Sequence, residues 1–189
     1  AYAFLSSNTT GSQNSTANYD PMSSFDSDGF TVRNTTTGGS TNNQTNDSGV
    51  NYVAWCWKAG GTASSNTDGT ITSSVSANQT AGFSVATYTG TGSNASFGHG
   101  LGAVPTFCII KNTDVTQSWW VWHKDFGNND DANNSMIELN GSGTKYASDD
   151  VFRGLTSTVV KIGTDSGSNT SGNDYVAYTW TDKDGVTKT

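Results

Sequence analysis

Apolar and polar positions fall into short runs along the chain, and the densest of them lie within residues 81–126. Phe83, Val85 and Thr87 alternate with Ser84, Ala86 and Tyr88, a period of two that predicts a half-buried strand. Gly98, His99, Gly100, Leu101 and Gly102, followed by Pro105, predict a turn, because glycine permits positive φ and proline fixes it. Phe107, Cys108, Ile109 and Ile110 are apolar on both faces and stop at Lys111-Asn112, which predicts a central strand covered on both sides. Trp119, Trp120, Val121 and Trp122 repeat that pattern. The three runs are expected to form an antiparallel sheet nucleus with the remainder packed around it.

Outside this nucleus, residues 50–58 form the longest strand-like run. Tyr52, Ala54 and Cys56 alternate with Val53, Trp55 and Trp57, so both faces are apolar. Such a run fits a strand inside a sandwich, or at a subunit contact, better than one facing water. Ile71, Ser73 and Val75 suggest a weak edge strand, and short strands are expected at 136–139, 151–155, 158–162 and 175–181. Asn140-Gly141 and Asp184-Gly185 carry hairpin chemistry. No window shows a helical period. The pattern predicts an all-β fold, an antiparallel β-sandwich or jelly-roll-like domain, over residues 50–189. Residues 1–49 read as a polar Ser/Thr/Asn-rich arm with a short strand near 25–33, where Asp28-Gly29 sets a turn. Residues 35–48 contain no apolar side chain and do not bury enough surface to offset backbone ordering, which costs roughly 1–2 kcal/mol per residue. The arm is therefore expected to lie along a neighbouring copy.

Composition narrows the function. The 189 residues are 32% hydrophobic, 11% aromatic and only 13% charged, with a net charge of −7. The aromatic content and alternating runs argue for a folded chain despite the low charge and many hydroxyls and amides. No basic patch offers the phosphate-neutralising term that nucleic-acid binding needs, and no apolar run approaches the length of a membrane span. The chain opens at Ala1, which predicts a processed or truncated product. Cys56 and Cys108 lie in separate apolar runs; free buried thiols are expected, with a disulfide as the other option.

Residues 25–30 (FDSDGF), 52–61 (YVAWCWKAGG), 70–78 (TITSSVSAN), 81–85 (AGFSV), 88–92 (YTGTG), 98–102 (GHGLG) with Pro105, and 175–178 (YVAY) form an ordered series. That series resembles a structural domain of virion proteins of tailed bacteriophages, especially marine and cyanobacterial ones, of the tail-fibre or appendage type. The chain departs from that pattern after Tyr178, where it becomes Thr179-Trp180-Thr181. The resemblance implies a non-enzymatic virion subunit that works with other copies of itself and other virion proteins, in assembly and in attachment to a host surface, including host-surface glycan. Capsid decoration, or a head fibre, is the alternative position on the particle, and a carbohydrate-binding lectin-like module is the further alternative. The family brings no catalytic residues.

Candidate chemistry is sparse, and no catalytic, cofactor-binding or metal residue is assigned. His99 is expected to be a turn histidine bonded to backbone, and His123 a strand-end histidine, since neither has a third group to complete a triad. Asn128, Asn129, Asp130 and Asp131 supply oxygen atoms but lack the spacing of a calcium loop. Glu138, the one glutamate, would need an opposed Asp for glycosidase chemistry. Most indoles at alternating strand positions are expected in the core. Trp119 and Trp120, straddling two faces, are the expected glycan or partner contacts. The Asn-x-Ser/Thr sequons, among them Asn8, Asn34 and Asn94, follow from the Asn, Ser and Thr content.

Overall fold

The computed structural model describes residues 4–14, 22–32, 36–37, 40–41, 45–46, 48–126, 129 and 134–182. The chain forms two compact units, Ala1–Ser6 with Gln13–Cys56, and Ser7–Ser12 with Trp57–Thr189. In the smaller unit, β1 (Met22–Phe25) pairs antiparallel with β2 (Phe30–Val32), and the short β3 (Thr36–Thr37) pairs with β4 (Ser40–Thr41). The turn joining β1 and β2 is the Asp-Gly turn read from sequence: Asp26 N–H donates to the Gly29 carbonyl at 2.9 Å. Both carboxylate oxygens of Asp26 accept hydroxyls, from Ser24 and Thr31, each at 2.8 Å.

The larger unit is an antiparallel β-sandwich. Its strands are β5 (Ser64–Asn66), β6 (Ser73–Asn78), β7 (Phe83–Thr89), β8 (Ala95–Gly98), β9 (Phe107–Asn112), β10 (Trp120–His123), β11 (Ser135–Glu138), β12 (Tyr146–Ala147), β13 (Phe152–Leu155), β14 (Val159–Ile162) and β15 (Asp174–Trp180). One 3-10 turn, Lys124–Phe126, follows β10. An eight-stranded sheet in the order β12-β11-β10-β9-β15-β7-β6-β5 faces a three-stranded sheet, β13-β14-β8. The β6–β7 hairpin turns at Gly82, whose φ of 67° requires a residue without Cβ.

The core lies between these sheets. Tyr88 and Ala86 of β7, Tyr175 and Ala177 of β15, and Cys108 and Ile110 of β9 line the large sheet's inner face. Val75, Trp122 and Met136 extend it, and Phe97, Phe152, Leu155, Val160 and Ile162 come from the smaller sheet. The Tyr88 ring stacks between Phe97 and Tyr175, with centroids 4.2 and 5.2 Å away.

The expected nucleus is corrected in one respect. β9 and β10 are neighbours, but β7 is separated from them by β15, which pairs with β7 along its whole length and with β9 on its other side. The reason is burial. Tyr175, Ala177 and Thr179 face one side of β15 and Val176, Tyr178 and Trp180 the other, so this strand needs cover on both faces and takes a central position.

A second correction concerns residues 50–58. No strand forms there, and both expected faces are open: Val53 and Trp55 are each 77% exposed and Trp57 56%. The backbone that follows the run lies against β6. A Cβ built on Gly60 would lie 2.1 Å from the Ala77 carbonyl oxygen, so the backbone after the run presses on β6. Ser76 Oγ also donates to the Gly61 carbonyl at 2.7 Å, and Asn78 Nδ2 to the Lys58 carbonyl at 3.2 Å. The weak edge strand predicted at 71–75 is β6, one place in from the edge, with Ile71 bridging Phe97.

Candidate interaction surface

The outer face of the large sheet carries the features of interest in the larger unit. Phe107, Ile109 and Lys111 of β9 share it with Val176, Tyr178 and Trp180 of β15 and with Phe83, Val85 and Thr87 of β7. An aromatic row crosses one end. Trp57 meets Phe83 at 6.3 Å and Trp180 at 5.7 Å; Trp180 meets Phe107 at 5.0 Å; Phe107 meets His123 at 6.0 Å; His123 meets Phe126 at 5.5 Å. Phe83 is buried, Trp180, Phe107, His123 and Phe126 are half-buried, and Trp57 is open to solvent on its free side.

At the other end the same face is closed by a strap of the chain itself. Gln117 N–H donates to the Thr10 carbonyl at 2.9 Å, and Trp119 Nε1–H to the Thr9 carbonyl at 3.2 Å. Lys111 Nζ donates to the Thr10 carbonyl at 3.4 Å and to the Asn112 carbonyl at 2.6 Å. Lys111 is completely buried, and desolvation pushes its ammonium pKa down. Residues 7–12, expected to run along a neighbouring copy, therefore bond to their own domain.

The strap decides the fate of the two indoles singled out in the sequence. Trp119 is 6% exposed beneath it, its ring stacked 6.5 Å from Tyr178, and its backbone N–H donates to the Asn140 side-chain oxygen at 2.7 Å. Trp120 points to the other face. It packs on the core edge, 5.7 Å from Tyr146, with Nε1 against Gly167. Trp119 thus presents no open ring to a glycan or partner, whereas Trp120 is half-buried. The exposed indoles are Trp55 and Trp57, in the run the sequence assigned to a covered strand.

The remaining candidates are fixed structurally. His99 is fully buried; its Nδ1 accepts from Leu101 N–H at 3.2 Å, and Nε2 lies 3.1 Å from the Thr156 carbonyl. That pair of contacts selects the neutral tautomer with the proton on Nε2, and burial pushes the imidazole pKa down against the opposing pull of Thr156 and Asp68. His123 Nδ1 accepts from Asp125 N–H at 3.2 Å. Glu138 Oε1 accepts from Ser118 Oγ at 2.9 Å.

Asn128, Asp130 and Asp131 lie outside the described residues, whereas Asn129 acts as a backbone substitute at the edge of β13. Its side chain takes the Leu155 N–H at 2.6 Å and gives to the Leu155 carbonyl at 2.8 Å. Among the described residues no group of three His, Cys, Asp or Glu side chains gathers as a metal site would require. No helix among them is long and apolar enough to cross a membrane.

The cysteines are both free. Cys108 is buried, its thiol 3.7 Å from Thr179 Oγ1 and pushed up to about 12 by desolvation. Cys56 is exposed, which corrects the expectation that both thiols are buried.

Fold and surface together define an antiparallel β-sandwich with one partly strapped aromatic face and an exposed uncharged run ahead of it. Over residues 1–189 the chain belongs to the family described as a domain of unknown function, DUF7483. No curated protein and no solved structure matches it.

Proposed function

We propose that the chain is a non-enzymatic structural protein of a tailed-phage virion, a tail-fibre or appendage subunit that contributes to assembly and to host-surface attachment. The observation that carries this reading is the run 50–57. It is uncharged, holds Val50, Tyr52, Val53, Trp55 and Trp57 at 48–77% exposure, and is unlike the surface of a protein that works alone. The surface composition fits as well, since Ser, Thr, Asn and Gly replace charge over most of the chain. The ordered segments that resemble virion appendage domains, from residues 25–30 to 175–178, supply the class of particle. Immunogold labelling of purified particles with antibody to the full chain tests the reading. Gold on tail fibres or appendages is the expected outcome, gold on the capsid moves the assignment to a decoration or head-fibre protein, and absence from particles refutes it.

The half-open row from Trp57 to Phe126 favours one second reading, a lectin-like module that stacks sugar rings on exposed indole. Retention on immobilised host polysaccharide, lost in Trp57→Ala, is its signature. Neither reading includes hydrolysis. Incubation with that polysaccharide is expected to release no reducing ends, and release abolished by Glu138→Gln would overturn the non-enzymatic assignment.

A further inference from the structure

The aromatic row on the outer face of the large sheet carries cations at both ends. The chain holds nine Lys and Arg residues against sixteen Asp and Glu, and three of the nine, Lys58, Lys124 and Lys145, stand beside this row. Lys58 follows Trp57 and lines a shallow hollow with Asn78 and Gln79. Asn78 pairs with Phe83 across the β6–β7 hairpin, so the hollow adjoins the row. At the opposite end Lys145 Nζ donates to the Phe126 carbonyl at 2.6 Å. Among the described residues neither Lys58 nor Lys145 has a carboxylate partner. The carboxylates near the row are Asp125, paired with Lys124 at 3.0 Å, and Asp182, which accepts the Thr106 hydroxyl at 3.4 Å.

That rim decides what the row can take. The centre of a protein–protein interface is depleted of Lys, whereas here an ammonium stands at each end and the amides of Asn78 and Gln79 border the Trp57 end. Trp57 is 56% exposed and its neighbours are half-buried, so one ring is open for stacking above an apolar floor. Successive planes from Trp57 to Phe126 meet at 45–77° rather than lying parallel, which suits the puckered C–H faces of sugar rings better than a stack of flat bases.

We infer that the row binds an acidic polysaccharide, one whose sugars carry carboxylates. One sugar stacks on Trp57, and carboxylates are held by Lys58 at one end and Lys145 at the other. The inference rests on the lectin-like second reading above and names its ligand class. Charge complementarity carries it: a chain of net charge −7 repels an acidic polymer everywhere except where its few cations collect, so binding is confined to this face.

Affinity electrophoresis of the full chain tests it, through gels containing polygalacturonate or the same polymer fully methyl-esterified. Sugars and linkages are then identical and only the carboxylate charge differs. Polygalacturonate should retard the protein, with a Kd about tenfold tighter than the ester, as two or three exposed ion pairs supply. Lys58→Gln/Lys145→Gln should remove that difference while leaving affinity for the ester unchanged. Trp57→Ala should weaken binding of both polymers by about tenfold or more. Near-UV circular dichroism checks that the variants fold.

Equal affinity for the two polymers would overturn the acidic ligand and leave the lectin-like reading standing. Retardation by neither would also overturn it, and the lectin-like reading is then decided separately by retention on host polysaccharide. Polygalacturonate binding that survives Trp57→Ala, or the lysine pair, would overturn the row as the site. Single-stranded oligo(dT) competing as well as free polygalacturonate would reassign the row to nucleic acid and overturn the inference too.

Discussion

Gly167→Ala is a small change with a large expected consequence. A Cβ at this position would lie 2.1 Å from Trp120 Nε1 and 2.4 Å from its Cδ1, where ordinary contact is 3.4–4 Å. The indole must therefore retreat by more than an ångström, but its ring is held against Tyr146 and the core edge. Overpacking of this kind costs typically about 1–3 kcal/mol. For a domain of this size that corresponds to a drop in Tm of roughly 2–12 °C. Urea denaturation followed by tryptophan fluorescence measures it.

A double-mutant cycle with Trp120→Phe then isolates the cause. The smaller ring has no atom at the indole nitrogen, so Gly167→Ala should cost much less in that background. An equal cost in both backgrounds, or no cost in the wild type, would refute the packing described for Trp120. It would also reopen that indole as a surface contact.

Three further outcomes are expected. Stability should fall with pH just below 6.5: His99 has a depressed pKa when folded, so the unfolded chain holds a proton that the native one lacks, and acidification favours unfolding by up to about 1.4 kcal/mol per pH unit. His99→Gln keeps a donor and an acceptor and should flatten that slope; an unchanged difference between pH 7 and pH 5.5 stability would disprove the assignment. Phe97→Ala should cost about 3–5 kcal/mol, because the side chain is fully buried between the sheets, and a loss below 1 kcal/mol in chemical denaturation would contradict the sandwich core. Deleting residues 1–12 should red-shift tryptophan emission and increase acrylamide quenching as Trp119 loses its cover, whereas an unaltered spectrum would remove the strap.

Local alternation was a good guide wherever a strand's own residues decide its burial. The runs at 83–88, 107–110 and 119–122, and those at 136–139, 151–155, 158–162 and 175–181, correspond to β7, β9, β10, β11, β13, β14 and β15 within a residue or two. Pairing over distance is different. Nothing local to residues 175–181 says that they separate β7 from β9, because that choice depends on which strands are available to cover two apolar faces.

The candidate surface was less legible for a related reason. Alternation marks residues 50–58 as strand-forming without saying whether a partner exists, so exposure of Trp55 and Trp57 was hidden. Lys111-Asn112 looked like a polar boundary, yet both residues are buried inside β9. Lys111 finds the Thr10 carbonyl on the strap, and Asn112 bonds Tyr175 Oη, the Ser166 carbonyl and the N–H groups of Asp114 and Val115. Those partners lie far away in sequence or arise from a turn, and no periodicity announces them.

The strap also changes the mechanics of the polar first third of the chain. Residues 7–12 are held at Lys111, Gln117 and Trp119, and residues 58–61 at β6, so the stretch between them is tethered at both ends. The two anchors are joined by residues 13–57, forty-five residues in the sequence, and bringing chain ends that far apart together costs about 3 kcal/mol of chain entropy. Releasing either anchor returns that entropy to the chain.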